Sequence, residues 1–171
     1  MSAPGQVWSV PIRLEDVPEA GRRFDLAADP ATRTAVARTA GLEAVPRLEA
    51  SFEVIRRGRD GLQVAGSVSA TVRQTCVVTL EPVENEIDEP IDLTFVPHAP
   101  DAQLREAEAG TPDPPEALVN GTVDLGAIAT EFLILGIDRY PRRAGAVFSS
   151  PATGEASAHP FDALAALKKP R

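Results

Sequence analysis

The sequence predicts an α+β protein: an antiparallel β-sheet packed by one main helix and two shorter helices. Three observations carry that expectation. Between about Leu48 and Val96, apolar and polar residues alternate with period two, the pattern of strands with one face on a core. Asp60-Gly61 and Leu80-Glu81-Pro82 break the alternation where turns between antiparallel strands belong. From Asp124 to Leu135 the period changes to that of a helix, with Leu125, Ile128, Ala129, Phe132 and Leu135 on one stripe.

The elements follow in order. Residues 6 to 13 are short and β-branched and contain Pro11, which cannot donate to a ladder, so they suggest an edge strand. Arg23 to Leu26 form a second brief strand. Asp29-Pro30 reads as a helix start, a capping carboxylate followed by proline at the first helical position, and Gly41 closes that helix after Ala40. Its alanines and Val36 predict packing against the sheet through small residues. Leu48, Ala50, Phe52 and Val54 then face Leu62, Val64, Val68, Ala70 and Val72 across the Asp-Gly turn. Val83, Ile87, Ile91, Leu93 and Phe95 continue the apolar face beyond Pro82, with Glu84, Glu86, Asp88 and Asp92 on the other side.

Residues 97 to 118 are proline-rich and acidic without an apolar period, which predicts a flexible loop. Asn120-Gly121 marks a turn, Asp124 a helix N-cap, Gly136 a stop, and Tyr140-Pro141 a barrier to further helix. Residues 142 to 158 read as a polar tail. A third, amphipathic helix is expected over 160 to 169, with Phe161, Leu164 and Leu167 on one stripe and lysines in its last turn. The sheet is expected to hold four or five strands; whether it curls into a partial barrel is left open by the pattern.

A chain of 171 residues with 43% hydrophobic content has material for one good core, so residues 1–171 are expected to form a single domain. No signal-peptide order and no spanning apolar run is visible, which predicts a cytoplasmic protein without membrane attachment. The single cysteine excludes an internal disulfide and weakens any metal site. A net charge of -8 argues against coating nucleic acid through the overall field and favours a basic partner. Arginines nevertheless cluster locally, at Arg56, Arg57 and Arg59 by the first hairpin and at Arg142 and Arg143 after the main helix. These are the candidate contacts for RNA or another partner.

No Ser-His-Asp set, glycine-rich phosphate loop or plausibly placed carboxylate pair occurs, so no catalytic residue, cofactor, metal or small-molecule substrate is assigned. Cys76 shares the parity of Val68 and Val72 and should face the core. Asp124 reads first as a helix cap, Glu131 as a residue on the flank of the apolar stripe, and Glu81-Pro82 as a corner between strands.

Cys76-Val77-Val78-Thr79-Leu80-Glu81-Pro82, the acidic strand ending at Phe95, the lead Asp124-Leu125 into a helix containing Glu131, and the terminal Pro-Phe-x-x-Leu-x-x-Leu-Lys run resemble the YceD family, the large ribosomal RNA subunit accumulation proteins. Many members read Cys-x-x-Cys-Leu-Glu-Pro where this chain has Thr79. Any paired-thiol chemistry in relatives, redox or zinc, is therefore closed to this chain alone. The resemblance implies a non-enzymatic bacterial role in 23S rRNA accumulation and large-subunit assembly, with ribosomal RNA or a large-subunit ribosomal protein as partner. An acidic adaptor or holdase for a basic protein unrelated to rRNA is the alternative.

Overall fold

The computed structural model of the chain describes residues 7–97 and 115–148. Its centre is a five-stranded sheet in the order β2-β3-β4-β5-β6, formed by β2 (Arg22–Ala27), β3 (Ala44–Arg57), β4 (Gly61–Thr75), β5 (Pro82–Val96) and β6 (Glu116–Ala117). The first four strands are antiparallel neighbours. The sheet is open at both edges and is not a closed barrel.

Alternation fixes the two faces. Opposite Leu62 on β4 stands Phe95, opposite Val64 stand Val54 and Leu93, opposite Ala70 stand Leu48 and Ile87, so the apolar parity of three strands coincides. Phe52, Leu48, Val54, Leu62, Val64, Val68 and Val72 are fully buried on that face. The other face carries Glu49, Ser51, Glu53, Gln63, Ser67, Ser69, Thr71, Glu84, Glu86, Asp88 and Asp92, outside the buried core.

The helix α1 (Pro30–Ala40) begins where Asp29 accepts a 2.7 Å bond from the Thr32 N–H and ends on Gly41 at φ 68. Only Val36 and Ala37 are buried, so it lies on β3 through small residues. The second helix, α2 (Leu125–Gly136), covers the apolar face over β4 and β5 and buries Leu125, Gly126, Ile128, Ala129 and Leu133. The stripe thus differs from expectation at its end. Leu133 and Leu135 lie on opposite flanks of the stripe; the sheet covers Leu133 and leaves Leu135 72% exposed.

Three further expectations need adjustment. The N-terminal strand does not join the main sheet: β1 (Pro11–Arg13) pairs antiparallel with β7 (Thr122–Asp124), because Asp124 and the start of α2 hold it there. The loop expected over residues 97 to 118 ends earlier, since β6 pairs in parallel with Phe95 and Val96 and Leu118 is buried. Two helices of three or more turns, rather than three, lie among the described residues; the helix expected at 160 to 169 lies outside them, as do residues 98–114 of the expected loop and 149–158 of the expected tail. A short 3-10 turn at Leu14–Asp16 completes the described elements.

Candidate functional site

The hairpin joining β4 to β5 and the segment that leaves α2 meet at one end of the molecule. Cys76 to Glu81 form a closed loop: the Cys76 N–H donates to the Glu81 carbonyl at 2.8 Å and the Leu80 N–H to the Cys76 carbonyl at 2.9 Å. Leu80 adopts φ 60, in the left-handed region that side chains resist, and is 76% exposed. An exposed leucine in a strained conformation is unfavourable twice over for local stability, and such outliers concentrate at functional sites.

Residues 138 to 148 form a strap across this loop. Gln74 Nε2 donates to the Asp138 carbonyl at 2.8 Å, the Val77 N–H to the Pro141 carbonyl at 2.9 Å, and the Arg143 N–H to Cys76 Sγ at 3.3 Å. The Arg143 guanidinium closes the set with an ion pair to Glu81. Pro141 is buried under these bonds. Within the expected polar tail, Arg143 is thus bonded to the sheet end, and the Ala146 N–H returns to the Arg143 carbonyl at 3.0 Å.

Cys76 sits at the junction, fully buried, as its parity predicted. Hydrogen bonding from the Thr79 hydroxyl, then the Arg143 N–H and the Thr79 N–H, lowers its thiol to about 6. Thr79 stands where a second thiol would be needed for redox or zinc chemistry, and among the described residues no group of three or more His, Cys, Asp or Glu could hold a metal.

Asp124 is a structural hub. Its Oδ1 accepts the Ala127 N–H at 3.1 Å, capping α2, and the Val10 N–H at 2.8 Å; Oδ2 accepts the Ser9 hydroxyl at 2.5 Å. Leu125 is fully buried in the core. Glu131 is exposed and borders a shallow cleft of about 280 Å³ lined by Val7, Trp8, Thr39, Thr130, Ile134 and Leu135. That lining is almost wholly apolar and offers no convergent polar set for chemistry.

The arginines of the first hairpin are not equivalent. The Arg56 guanidinium donates to the carbonyls of Val17 at 2.6 Å, Leu14 at 3.0 Å and Glu15 at 3.3 Å, anchoring the N-terminal turn. It is committed to structure. Its parity, shared with Phe52 and Val54 on the core face, is the sequence signal that points it inward. Arg57 binds Gln63 Oε1 at 2.8 Å, and Arg59 is exposed at the turn. Arg142 is exposed on the strap, so the structure brings Arg142 and Arg143 together with Cys76, Leu80, Glu81 and Pro82, far in sequence from Arg57 and Arg59. Reasoning from the sequence missed Gln74 and Pro141 as anchors of the strap; Tyr140-Pro141 marked only the end of a helix.

On the solvent face of the sheet, carboxylates outnumber arginines. Arg47 reaches Glu86 at 2.8 Å and Glu49 at 3.2 Å, and Arg73 reaches Glu84 at 2.6 Å. The Thr71 hydroxyl and then Arg47 hold the Glu86 carboxyl below its usual range. Asp25 is lowered by Arg23 and Ser51. Asp88 and Asp92 add charge without an ion pair among the described residues. No helix among the described residues is long and apolar enough to cross a membrane.

The family model described as large ribosomal RNA subunit accumulation protein YceD matches residues 64–168, more than half of the chain, and takes in the Cys76 loop, Asp124, α2 and the strap. No curated protein and no solved structure matches the chain.

Proposed function

Because the chain belongs to the YceD family of large ribosomal RNA subunit accumulation proteins, we propose that it is a non-enzymatic factor for 23S rRNA accumulation and large-subunit biogenesis, acting by binding ribosomal RNA or a large-subunit protein. One observation carries the binding reading. The matched region builds, at one end of the sheet, a loop and strap in which Leu80 and Arg142 are held exposed on a hydrogen-bonded frame. A rigid surface that displays apolar and cationic groups has already met much of the ordering cost of association. Capture of the tagged full chain from its own cells at low and moderate salt, with RNA and proteins both identified, tests this reading. Recovery of 23S rRNA precursors or large-subunit proteins supports it; recovery of neither overturns it.

A second reading is favoured by the sheet's solvent face. Glu49, Glu53, Glu84, Glu86, Asp88 and Asp92 give a broad acidic surface in a chain of net charge -8, which attracts a basic protein and repels phosphate. On this reading the protein is an acidic adaptor or holdase. Salt-sensitive binding to a basic protein in nuclease-treated extract, with no RNA retained, would favour it over direct rRNA contact.

A further inference from the structure

We infer that the strap from Arg139 to Phe148 is a binding platform for single-stranded RNA, with Tyr140 and Phe148 as stacking faces and Arg139 and Arg142 as phosphate contacts. The inference rests on the ribosomal reading above and names its partner and surface. Among the described residues, Tyr140 and Phe148 are the two aromatic side chains that stand largely in solvent, 72% and 73% exposed; Trp8, Phe52 and Phe95 are buried and Phe24 and Phe132 half-buried. Val77, Leu80 and Val147 stand exposed on the same loop and strap. Exposed apolar groups gathered at one place mark an interaction site.

The charge of the strap selects the partner. From Asp138 to Phe148 the strap holds three arginines and one acid; Arg143 is paired with Glu81, and Arg139 and Arg142 make no ion pair among the described residues, within a chain of net charge -8. A basic protein surface is repelled by these arginines. Duplex RNA is recognised through phosphates and sugar hydroxyls across a broad groove, which an acidic protein with one short basic strip matches poorly. An unpaired strand asks for less. Its bases stack on aromatic faces and its phosphates meet a few arginines nearby.

Hydrogen bonds hold the backbone of the strap between Asp138 and Ala146. Pro141 is buried and its carbonyl accepts the Val77 N–H, the Arg143 N–H is fixed on Cys76 Sγ, and the Ala146 N–H returns to the Arg143 carbonyl at 3.0 Å over Gly145 at φ 77. Tyr140 and its arginine neighbours therefore project from a bonded backbone. The strap crosses the sheet end on the side of Gln74 and Cys76, which share the parity of the helix-covered face, so the acidic face points away from it.

The test uses full-length protein and a fluorescein-labelled 12-nucleotide single-stranded RNA of mixed sequence, with a blunt RNA hairpin as control, at two salt concentrations. Wild type is expected to bind the single strand more tightly than the hairpin. Tyr140→Ala with Phe148→Ala should weaken binding tenfold or more, since one stacked base is worth roughly 5- to 150-fold. Tyr140→Phe should retain affinity, and Arg142→Gln should reduce the salt slope by roughly 0.7 for one phosphate. Unchanged circular dichroism and urea midpoints establish that these variants fold. No binding by wild type, or equal binding by the double variant, overturns the platform. If cellular capture still recovers 23S precursors in that case, the ribosomal reading survives and only the platform falls; if capture recovers nothing, both fall.

Discussion

Replacing Asp124 separates a scaffold role from a partner-facing one, because the side chain accepts three bonds at the junction of α2 and the N-terminal strand. In Asp124→Ala the helix loses its cap, which costs about 1 kcal/mol. The half-buried Val10 N–H and the Ser9 hydroxyl lose their acceptors as well, adding about 1–3 kcal/mol. The expected total is about 2–4 kcal/mol. With a denaturant slope of about 2 kcal/mol/M, the urea midpoint of the full chain should fall by about 1–2 M. Asp124→Asn keeps one acceptor oxygen and should cost about half as much. Combined with Ser9→Ala, the double variant should show a coupling of at least about 0.5 kcal/mol, because the two side chains share one bond. A midpoint within about 0.5 kcal/mol of wild type, together with lost capture of ribosomal partners, would refute this reasoning and make Asp124 a contact residue.

Other sites give sharper local tests. Gly66→Ala places a methyl group 1.9 Å from the Ser51 carbonyl oxygen and 2.9 Å from Phe52 Cα, so β3 and β4 must part; a loss of about 1–3 kcal/mol or more is expected in urea unfolding. Arg56→Ala should cost about 1.5–3 kcal/mol through its lost bonds to the N-terminal turn while leaving affinity for single-stranded RNA unchanged, by melt and by titration. Leu80→Gly relieves the positive φ and should raise stability by about 0.5–1 kcal/mol while weakening partner capture, a split that a purely structural leucine would not give. The thiol of Cys76, read by thiolate absorbance in a chain with one cysteine, should titrate near 6, and Thr79→Val should move it upward. Because its folded value lies below the unfolded one of about 8.5, its contribution to stability is full above that pH and is lost as pH falls toward 6. Urea midpoints of wild type should therefore rise more between pH 6 and 8.5 than those of Cys76→Ser.

The faces of the sheet were legible because period two is a local property, and no distant contact is needed to decide that Val64 and Val68 point one way and Ser67 and Ser69 the other. Asp29, Gly41 and Asp124 were legible for the same reason, each satisfying orphan amide or carbonyl groups within one turn. What alternation could not supply was pairing across sequence distance. The bond from Arg143 to Cys76 spans 67 positions, and nothing in Arg142-Arg143-Ala144-Gly145 signals an acceptor on a strand hairpin. The pairing of β1 with β7 spans more than 100 positions and depends on one carboxylate. Arg56 was the recoverable case. A cation on the parity of Phe52 and Val54 must find acceptors at the rim of the core, and the carbonyls of Leu14 and Val17 supply them.

The loop from Cys76 to Pro82 is closed without a second cysteine. Its closure rests on backbone bonds between Cys76 and Glu81 and between Leu80 and Cys76, with a further bond from the Glu81 N–H to the Thr79 hydroxyl at 3.4 Å. A threonine there is sterically modest, and its hydroxyl and N–H both turn toward the Cys76 sulfur. The sulfur in turn accepts the Arg143 N–H, while Glu81 holds the Arg143 guanidinium. In this chain the cysteine, the glutamate and the threonine therefore converge on one task, fixing the strap against the sheet end. That task needs an acceptor and a cation partner rather than a second thiol. It follows that Glu81→Gln, which removes the charge but keeps the shape, should loosen the strap while leaving the sheet intact. Faster amide exchange confined to residues 142–146, with the β3–β4 amides unchanged, is the expected result; protection unchanged at both places would mean that the backbone bonds alone hold the strap.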